Sequence, residues 1–436
     1  MKNDLDWDVC VVGLGYVGLT LATAFAAAGL RVAGIERNQA TIDIVNSGAS
    51  PFHEFGLTEA ISAVVADHRL TAFQAETKIV APAYVITVGT PVRNGNVYLE
   101  DLKAAVESVA RVMPEGALTA LRSTVRVGTT RDIAAPILRK SGKPFALAMT
   151  PERTIEGKAL AELSSLPQIV GGVDDASFDA ASKLFSKLGI DVVKVANAET
   201  AELSKLASNT FRDLNFAFAN ELAYFADESG VDVYEVVHAC NFGYDRMSLA
   251  KPGPVAGPCL EKDAYILADS AAQLGISVPL SMQGRKTNEL VVPHVLKLIS
   301  SQGSSPQSAS IVGIAFKGQP ETSDVRGSLA INFANGLKES LSLETVSGWD
   351  PVVSETDART MGVVPVDLEQ ALNSDVIVIQ TNHRFFKSDE FANLVKASLK
   401  KGSLVVDLWN QLPEDLQSQP GMVTLGRSSS TKGYVK

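Results

Sequence analysis

One cysteine sits in the most chemically suggestive stretch of the chain. Cys259 closes a Gly/Pro-rich run, Pro252-Gly-Pro-Val-Ala-Gly-Pro-Cys259, and Leu-Glu-Lys-Asp263 follows as the expected start of a helix. A helix N-terminus lowers a thiol's pKa, and so does a nearby lysine such as Lys262, so the setting favours a nucleophilic thiolate. Cys10, inside an apolar strand pattern, and Cys240 read as small structural hydrophobes. Lys205 and Asn209 lie four apart on a helical pattern and therefore share a face. Spacing alone leaves Lys205 equally compatible with solvent and with a cleft.

Gly13-Leu-Gly-Tyr-Val-Gly18 offers a second chemistry. It follows an apolar strand and opens a helix. There the first glycine makes a tight turn, the second lets a pyrophosphate approach the backbone, and the third lets helix and strand pack closely. Glu36 ends the next strand at the distance where an acid accepts from a ribose hydroxyl, which favours NAD over NADP. Arg37 beside it weakens that preference.

These residues need a scaffold that alternates strands and helices. Strands are expected at Asp8–Val12, Arg31–Ile35, Ala83–Val88, Ala117–Arg122 and Phe145–Met149, and a helix at Val17–Ala28. Buried, β-branched strands alternating with helices predict a parallel sheet covered on both faces. From Thr200 to Ser229 the pattern is helical with no glycine or proline. Its apolar residues (Leu206, Phe211, Phe218 and Phe225 among them) recur at three- and four-residue steps. So long a helix is expected to span domains or build an interface. Further helices are expected at Val231–Ala239 and Glu261–Leu274. Ser300–Ser310 reads as a linker, after which strands at Ala309–Ile314, Thr345–Trp349, Asp375–Thr381 and Ser403–Leu408 restart the alternation. The expected fold is α/β, with two Rossmann-like doubly wound domains, 1–199 and 301–436, joined by a helical central domain, 200–300. The polar tail from Gly426 is expected to be mobile.

Composition narrows the function. Of 436 residues, 46% are apolar and 20% charged, an ordinary soluble globular balance. The net charge of −10 argues against nucleic acid as the main partner. Three scattered cysteines without a CxxC, and five histidines without ligand spacing, argue against a disulfide framework and against a metal site. A reduced cytoplasm is the expected compartment. Met1–Asp8 carries no signal pattern, and the apolar stretch Val9–Ile35 is broken by Gly13, Gly15, Gly18 and Gly29 and contains Arg31, so no membrane span is expected.

Several motifs recur in an order that resembles the UDP-glucose/UDP-N-acetylhexosamine/GDP-mannose 6-dehydrogenase family. They are GLGYVG, Val88-Gly-Thr-Pro91, Arg122-Ser-Thr-Val125, Pro151-Glu-Arg153, Glu202-Leu-Ser-Lys-Leu-Ala-Ser-Asn209, the loop to Cys259 with Lys262-Asp263, Phe316-Lys317 and Asp324-Val-Arg-Gly-Ser328. The resemblance spans about residues 8 to 410. It implies oxidation of a nucleotide sugar's C6 hydroxymethyl to a carboxylate with NAD, through an aldehyde, a cysteine thiohemiacetal and a thioester. Cys259 is then the nucleophile and Lys205 the cation that stabilises an oxyanion. Asn209 holds that oxygen or an ordered water, and Asp263 orients water and Lys205. Thr124 contacts the water and Glu156 helps activate it. Glu152 contacts the substrate region, and either glutamate is a candidate base if burial raises its pKa. For the cofactor the resemblance implies Gly13, Gly15, Tyr16, Val17, Gly18, Glu36, Arg37, Val88, Thr90, Thr124 and Arg326. For the substrate it implies Glu152, Arg153, Lys205, Asn209, Arg246, Gly257, Arg285 and Lys317. Asn382, His383 and Arg384, after a strand end, are candidates for the nucleotide, with His383 equally readable as a turn residue.

The sugar is expected to be a UDP-N-acetylhexosamine, mannosamine before glucosamine, as a polysaccharide precursor. Pro151-Glu-Arg153, Arg285 with Asn288, Tyr244 with Arg246, and Thr381-Asn-His383 resemble that branch. Glu156 and Lys262-Asp263 resemble the UDP-glucose branch. The loop before Cys259 is one glycine short of the family pattern, and Pro258 adjoins the cysteine. A homodimer through the long helix is expected. The rival readings are a UDP-glucose enzyme, a simple hydroxyacid dehydrogenase and a non-catalytic NAD or nucleotide-sugar binding protein. Neither of the last two needs Cys259, Lys205 and Asp263 together.

Overall fold

A computed structural model describes residues 7–93, 95–303 and 305–427. Most of the polar tail, part of the acidic N-terminus and Ser304 of the linker therefore lie outside the described residues. The chain divides into two compact units: 1–208 with 265–278, and 209–264 with 279–436.

The first unit is built on eight strands: β1 (Val9–Val12), β2 (Val32–Glu36), β3 (Leu70–Gln74), β4 (Ala83–Ile86), β5 (Ala117–Leu121), β6 (Phe145–Met149), β7 (Gln168–Gly172) and β8 (Val192–Lys194). Their order in the sheet is β8-β7-β6-β5-β4-β1-β2-β3. Alternate residues of each strand enter different cores. Val9 and Val11 pack on one face with Phe25 and Leu57, while Cys10 and Val12 pack on the other with Leu102 and Val106. Cys10 is buried as expected of a structural hydrophobe, and burial pushes its thiol up to about 12.

The sheet is not wholly parallel. β6 pairs antiparallel with β7, Met149 opposite Gly171, and β7 then pairs parallel with β8. The connections explain the reversal. Between β6 and β7 the chain forms only the short helix Ala159–Leu163, so it turns back at the same end of the sheet. Between β7 and β8 the helix Asp175–Phe185 carries it across.

Helices α1 (Tyr16–Ala27), α2 (Glu100–Val112), α3 (Ala198–Ser229), α4 (Val233–Asn241), α5 (Leu260–Gln273), α6 (Pro279–Glu289) and α7 (Val291–Ser300) follow in chain order. The sequence patterns gave α3 and α5 to within two residues, but not α6 or α7. Helix α4 starts two residues later than expected because Asp232 caps it, accepting from the N–H groups of Tyr234 at 2.8 Å and Glu235 at 3.4 Å. No helix among the described residues is long and apolar enough to cross a membrane.

The second unit holds a six-stranded parallel sheet: β9 (Ala309–Val312), β10 (Ser347–Trp349), β11 (Val364–Pro365), β12 (Val376–Ile379), β13 (Leu404–Asp407) and β14 (Met422–Thr424), ordered β11-β10-β9-β12-β13-β14. In both sheets the strand order reverses beside the first strand, between β1 and β4 and between β9 and β12. Such a reversal opens a crevice at the carboxyl ends of the strands.

Replacing Asp232 by Ala leaves two N–H groups of α4 without their cap. Equilibrium urea unfolding is expected to register a loss of about 1 kcal/mol; an unchanged midpoint would contradict the capping role.

Candidate active site

The glycine turn of the first unit is shaped by close contacts. Gly13 adopts φ +95° and donates to Ile35 O at 2.8 Å. A Cβ on Gly18 would lie 1.8 Å from Gly13 O, so no side chain fits there. A Cβ on Gly15 would meet nothing within 4 Å, which leaves that backbone open to a ligand. This geometry fits a dinucleotide pyrophosphate at the start of α1. Glu36 stands at the end of β2, where its Oε2 accepts Leu14 N–H at 2.9 Å. Arg37 turns away to pair with Asp101 on α2 at 2.9 Å. Val17 is half-buried on α1. Tyr16 donates from its hydroxyl to buried Glu54, which also accepts from Gly157 N at 2.6 Å and Ala159 N at 2.8 Å. Glu54 thereby holds the segment that carries Glu156.

The loops after β4 and β5 are tied together. Ser123 Oγ donates to Val88 O at 2.6 Å and Thr90 Oγ1 donates to Thr124 O at 2.6 Å. The preceding residue, Arg122, is buried and meets Glu152 through Nε at 2.9 Å and Gln168 Oε1 through Nη1 at 2.7 Å. Glu152 Oε1 also accepts from the N–H groups of Arg153 and Thr154. The condition set for a base role at Glu152, a carboxyl raised by burial, is not met. Burial alone would raise its carboxyl, but the Arg122 charge, the Thr154 N–H and the Lys205 charge hold it below the ordinary value. It braces the loop as a fixed carboxylate. The exposed Arg153 guanidinium bonds the Pro167 carbonyl.

Lys205 is 6% exposed, so it faces inward and not into solvent. One turn earlier, buried Glu202 accepts from Gly128 N at 2.6 Å, Thr130 N at 2.8 Å and Thr130 Oγ1 at 2.6 Å. Burial pushes its carboxyl up to about 7 against those donors.

In the second unit Asn209 Nδ2 donates to Asp263 Oδ2 at 2.6 Å, both side chains being buried. Cys259 is exposed at the head of α5, and its carbonyl accepts from Lys262 N at 3.2 Å and Asp263 N at 3.0 Å. It is thus the residue at which the helix begins. The loop before it is seated on the second sheet's side of this unit. Gly257, at φ +101°, donates to Gly327 O at 3.1 Å, and a Cβ there would lie 2.4 Å from the Phe316 ring. A Cβ on Gly253 would lie 2.6 Å from the Trp409 ring.

Other expected residues fall at the strand ends of β9 and β12 or in nearby loops. Lys317 is half-buried after β9. Asn382 Oδ1 accepts from Gly318 N and Gln319 N, each at 3.0 Å. His383 takes the turn role: its Nδ1 accepts Phe385 N–H at 3.1 Å, and burial lowers its pKa. Arg384 is exposed. The Arg326 guanidinium forks onto Asp324. Arg246 lies 4.7 Å from the Tyr244 ring centroid. Arg285 is 2% exposed, with its guanidinium on Asp213 at 2.8 Å, so it is a core residue of this unit.

Sequence reasoning gave no role to Arg122, Glu202, Glu54 or Asp213. Arg122 and Glu202 open two of the motifs that carry the family resemblance, whereas Glu54 and Asp213 lie outside them.

Residues 7–189 match the NAD binding domain of the UDP-glucose/GDP-mannose dehydrogenase family, residues 199–290 its central domain and residues 310–414 its UDP binding domain. The chain belongs to this family and is an NAD-dependent nucleotide-sugar dehydrogenase, an oxidoreductase. A relative from Pyrococcus horikoshii named UDP-N-acetyl-D-mannosamine dehydrogenase is 32% identical over 418 residues, covering 93% of this chain and 96% of that protein. A solved structure of UDP-D-ManNAc dehydrogenase from the same organism superposes with a TM-score of 0.85 at 30% identity, covering 97% of this chain and 100% of that one. A UDP-glucose dehydrogenase from Pyrobaculum islandicum superposes with a TM-score of 0.84 at 26% identity, covering 99% of each chain.

The raised pKa of Glu202 has a consequence for stability. The folded state binds its proton more tightly than the unfolded chain. This stabilisation is complete below the ordinary carboxyl value of 4.5 and is lost as pH rises toward about 7. Urea unfolding from pH 4.5 to 8 should show wild-type stability falling relative to Glu202→Gln across that interval. Parallel curves for the two proteins would refute it.

Proposed function

We propose that this chain oxidises the C6 hydroxymethyl of a UDP-N-acetylhexosamine to the carboxylate, with the mannosamine sugar preferred, to make a polysaccharide precursor. The similarity to the relative named for UDP-N-acetyl-D-mannosamine, over nearly the whole of both chains, carries the choice of sugar. In this reading residues 1–199 hold the cofactor, 200–300 carry the reactive side chains and 301–436 hold the UDP. The cofactor residues are the Gly13–Gly18 turn with Glu36, Val88, Thr90, Thr124 and Arg326. Bound NAD supplies the hydride acceptor.

Lys205 stabilises negative charge developing on the C6 oxygen, a role suited to a cation withdrawn from solvent. Asn209, fixed by its bond to Asp263, holds that oxygen or an ordered water. The Cys259 thiolate adds to the aldehyde left by the first hydride loss, giving a thiohemiacetal. Loss of a second hydride leaves a thioester. Thr124 and Glu156 orient the water that cleaves it, releasing the uronate and regenerating the thiolate. Exposure of Cys259 at a helix start supports this assignment. Gly257, Arg246 and Lys317 contact the sugar nucleotide, with Arg153 beside the substrate region. A second reading, UDP-glucose, is favoured by Glu156 and by Lys262-Asp263.

The chain also acts as a homodimer in a reduced cytoplasm in this reading. Phe211, Phe218 and Phe225 recur every seven residues on α3 and are 70%, 52% and 63% exposed. That spacing keeps them on one face, and an aligned aromatic face of this kind suits a second copy. Phe218→Glu is expected to halve the mass seen by light scattering. A wild type that already runs as a monomer would refute the dimer.

The decisive experiment follows NADH release with limiting UDP-N-acetylmannosamine, UDP-N-acetylglucosamine, UDP-glucose and GDP-mannose. Two NADH per UDP-N-acetylmannosamine are expected, with Cys259→Ser blocked in the second oxidation while still binding NAD. One NADH per sugar, or full uronate formation by Cys259→Ser, would refute the cysteine mechanism. Preference for UDP-glucose would overturn the sugar, and NAD binding without turnover of any of the four would favour a binding protein.

A further inference from the structure

The segment that ends in Cys259 is held at both ends by buried polar side chains to which the mechanism above gives no role. Asn220 on α3 accepts Gly253 N–H at 2.8 Å and donates to Gly253 O at 3.1 Å and to Asn288 Oδ1 at 2.8 Å. Asn288 on α6 donates to Asp213 Oδ1 at 2.8 Å and to the Asp213 carbonyl at 2.9 Å. Arg285, one turn before Asn288, donates to the same Asp213 oxygen at 2.8 Å and to Leu260 O at 3.3 Å. None of these four side chains belongs to a residue more than 2% exposed. A continuous chain of hydrogen bonds therefore runs from Gly253 through the helices to Leu260.

Stability alone does not explain this arrangement. A buried ion pair is often matched or bettered by apolar residues of similar volume. Here burial pushes the Asp213 carboxyl upward even beside Arg285. Among the described residues, Asp213 Oδ2 and Arg285 Nε make no hydrogen bond. Apolar residues, however, cannot satisfy backbone groups of an irregular segment. Pro252, Pro254 and Pro258 offer no N–H, and the loop lies outside any helix or strand, so polar groups such as those of Gly253 need partners from elsewhere to fix it. The network provides these at Gly253, and through Arg285 it reaches the first carbonyl of α5, next to Cys259.

We propose that Asn220, Asn288, Asp213 and Arg285 are positioning residues for the Cys259 thiol, clamping Gly253 and Leu260 so that the thiol is presented at the start of α5. The proposal rests on the reading of Cys259 as nucleophile. It gives Arg285 a task inside its own subunit, on the loop's backbone, in place of the substrate contact implied by family resemblance.

The test compares wild type with Asn220→Ala and with the double variant Asp213→Leu/Arg285→Met, which removes both charges and leaves neither one buried alone. Cys259 alkylation by iodoacetamide is followed by peptide mass, alongside kcat, KM for NAD and Tm. A displaced thiol is expected to lower kcat about tenfold or more and to change its alkylation rate about threefold or more, with KM for NAD unchanged. A folded variant that keeps the wild-type kcat and alkylation rate would overturn the proposal. Should the double variant not fold, Asn220→Ala carries the same comparison. Full uronate formation by Cys259→Ser would overturn the nucleophile reading separately, because alkylation reports the loop's geometry whether or not the thiol reacts with substrate.

Discussion

Irregular backbone buried at the carboxyl ends of parallel strands must find hydrogen-bond partners, and in this protein buried or half-buried carboxylates supply many of them. Glu202 meets the N–H groups of Gly128 and Thr130, Glu54 those of Gly157 and Ala159, and Glu152 those of Arg153 and Thr154. Asp407 accepts from Trp409, Gln411 and Leu412. A carboxylate is well suited to this task because its two oxygens accept several bonds at once. The burial cost appears in the raised carboxyls of Glu202 and Asp407. At Glu152, with Arg122 beside it, the balance reverses.

The same device recurs in the two sheets. Gly13 follows β1 at φ +95°, and Gly313 follows β9 at φ +89°. Each donates at 2.8 Å to the strand beside it, to Ile35 O and Trp349 O. Glu36, ending β2, accepts Leu14 N–H at 2.9 Å. Asp350, just past β10, accepts Ile314 N–H at 2.6 Å and Ala315 N–H at 3.0 Å. An acid after the second strand thus fixes the turn after the first in both sheets. In this chain the segments that match the family's NAD binding and UDP binding domains share this frame.

Much of the frame was legible in the order of residues. Apolar runs marked β1, β2, β4, β5, β6, β9, β12 and β13 within about two residues, because buried parallel strands need continuous apolar side chains. The glycine turn and Glu36 were legible because a short motif between a strand and a helix constrains geometry locally. Cys259 drew notice through its Gly/Pro surroundings. Short edge strands such as β8 and β11 escaped notice, since only three and two residues form them. The reversal at β7 was hidden because periodicity carries no strand direction.

What the sequence determined by itself was therefore the kind of chemistry and the scaffold that carries it: a thiol at a helix start, a lysine and an asparagine on one long helix, and a dinucleotide turn. Tertiary structure decided the state of each group. It held Glu152 as an ion-paired carboxylate, because Arg122 approaches from 30 residues away in the chain. It joined Asn209 to Asp263 across 54 residues and Arg285 to Asp213 across 72. Charge, burial and hydrogen bonding depend on which distant residues meet, and spacing within a motif does not contain that information.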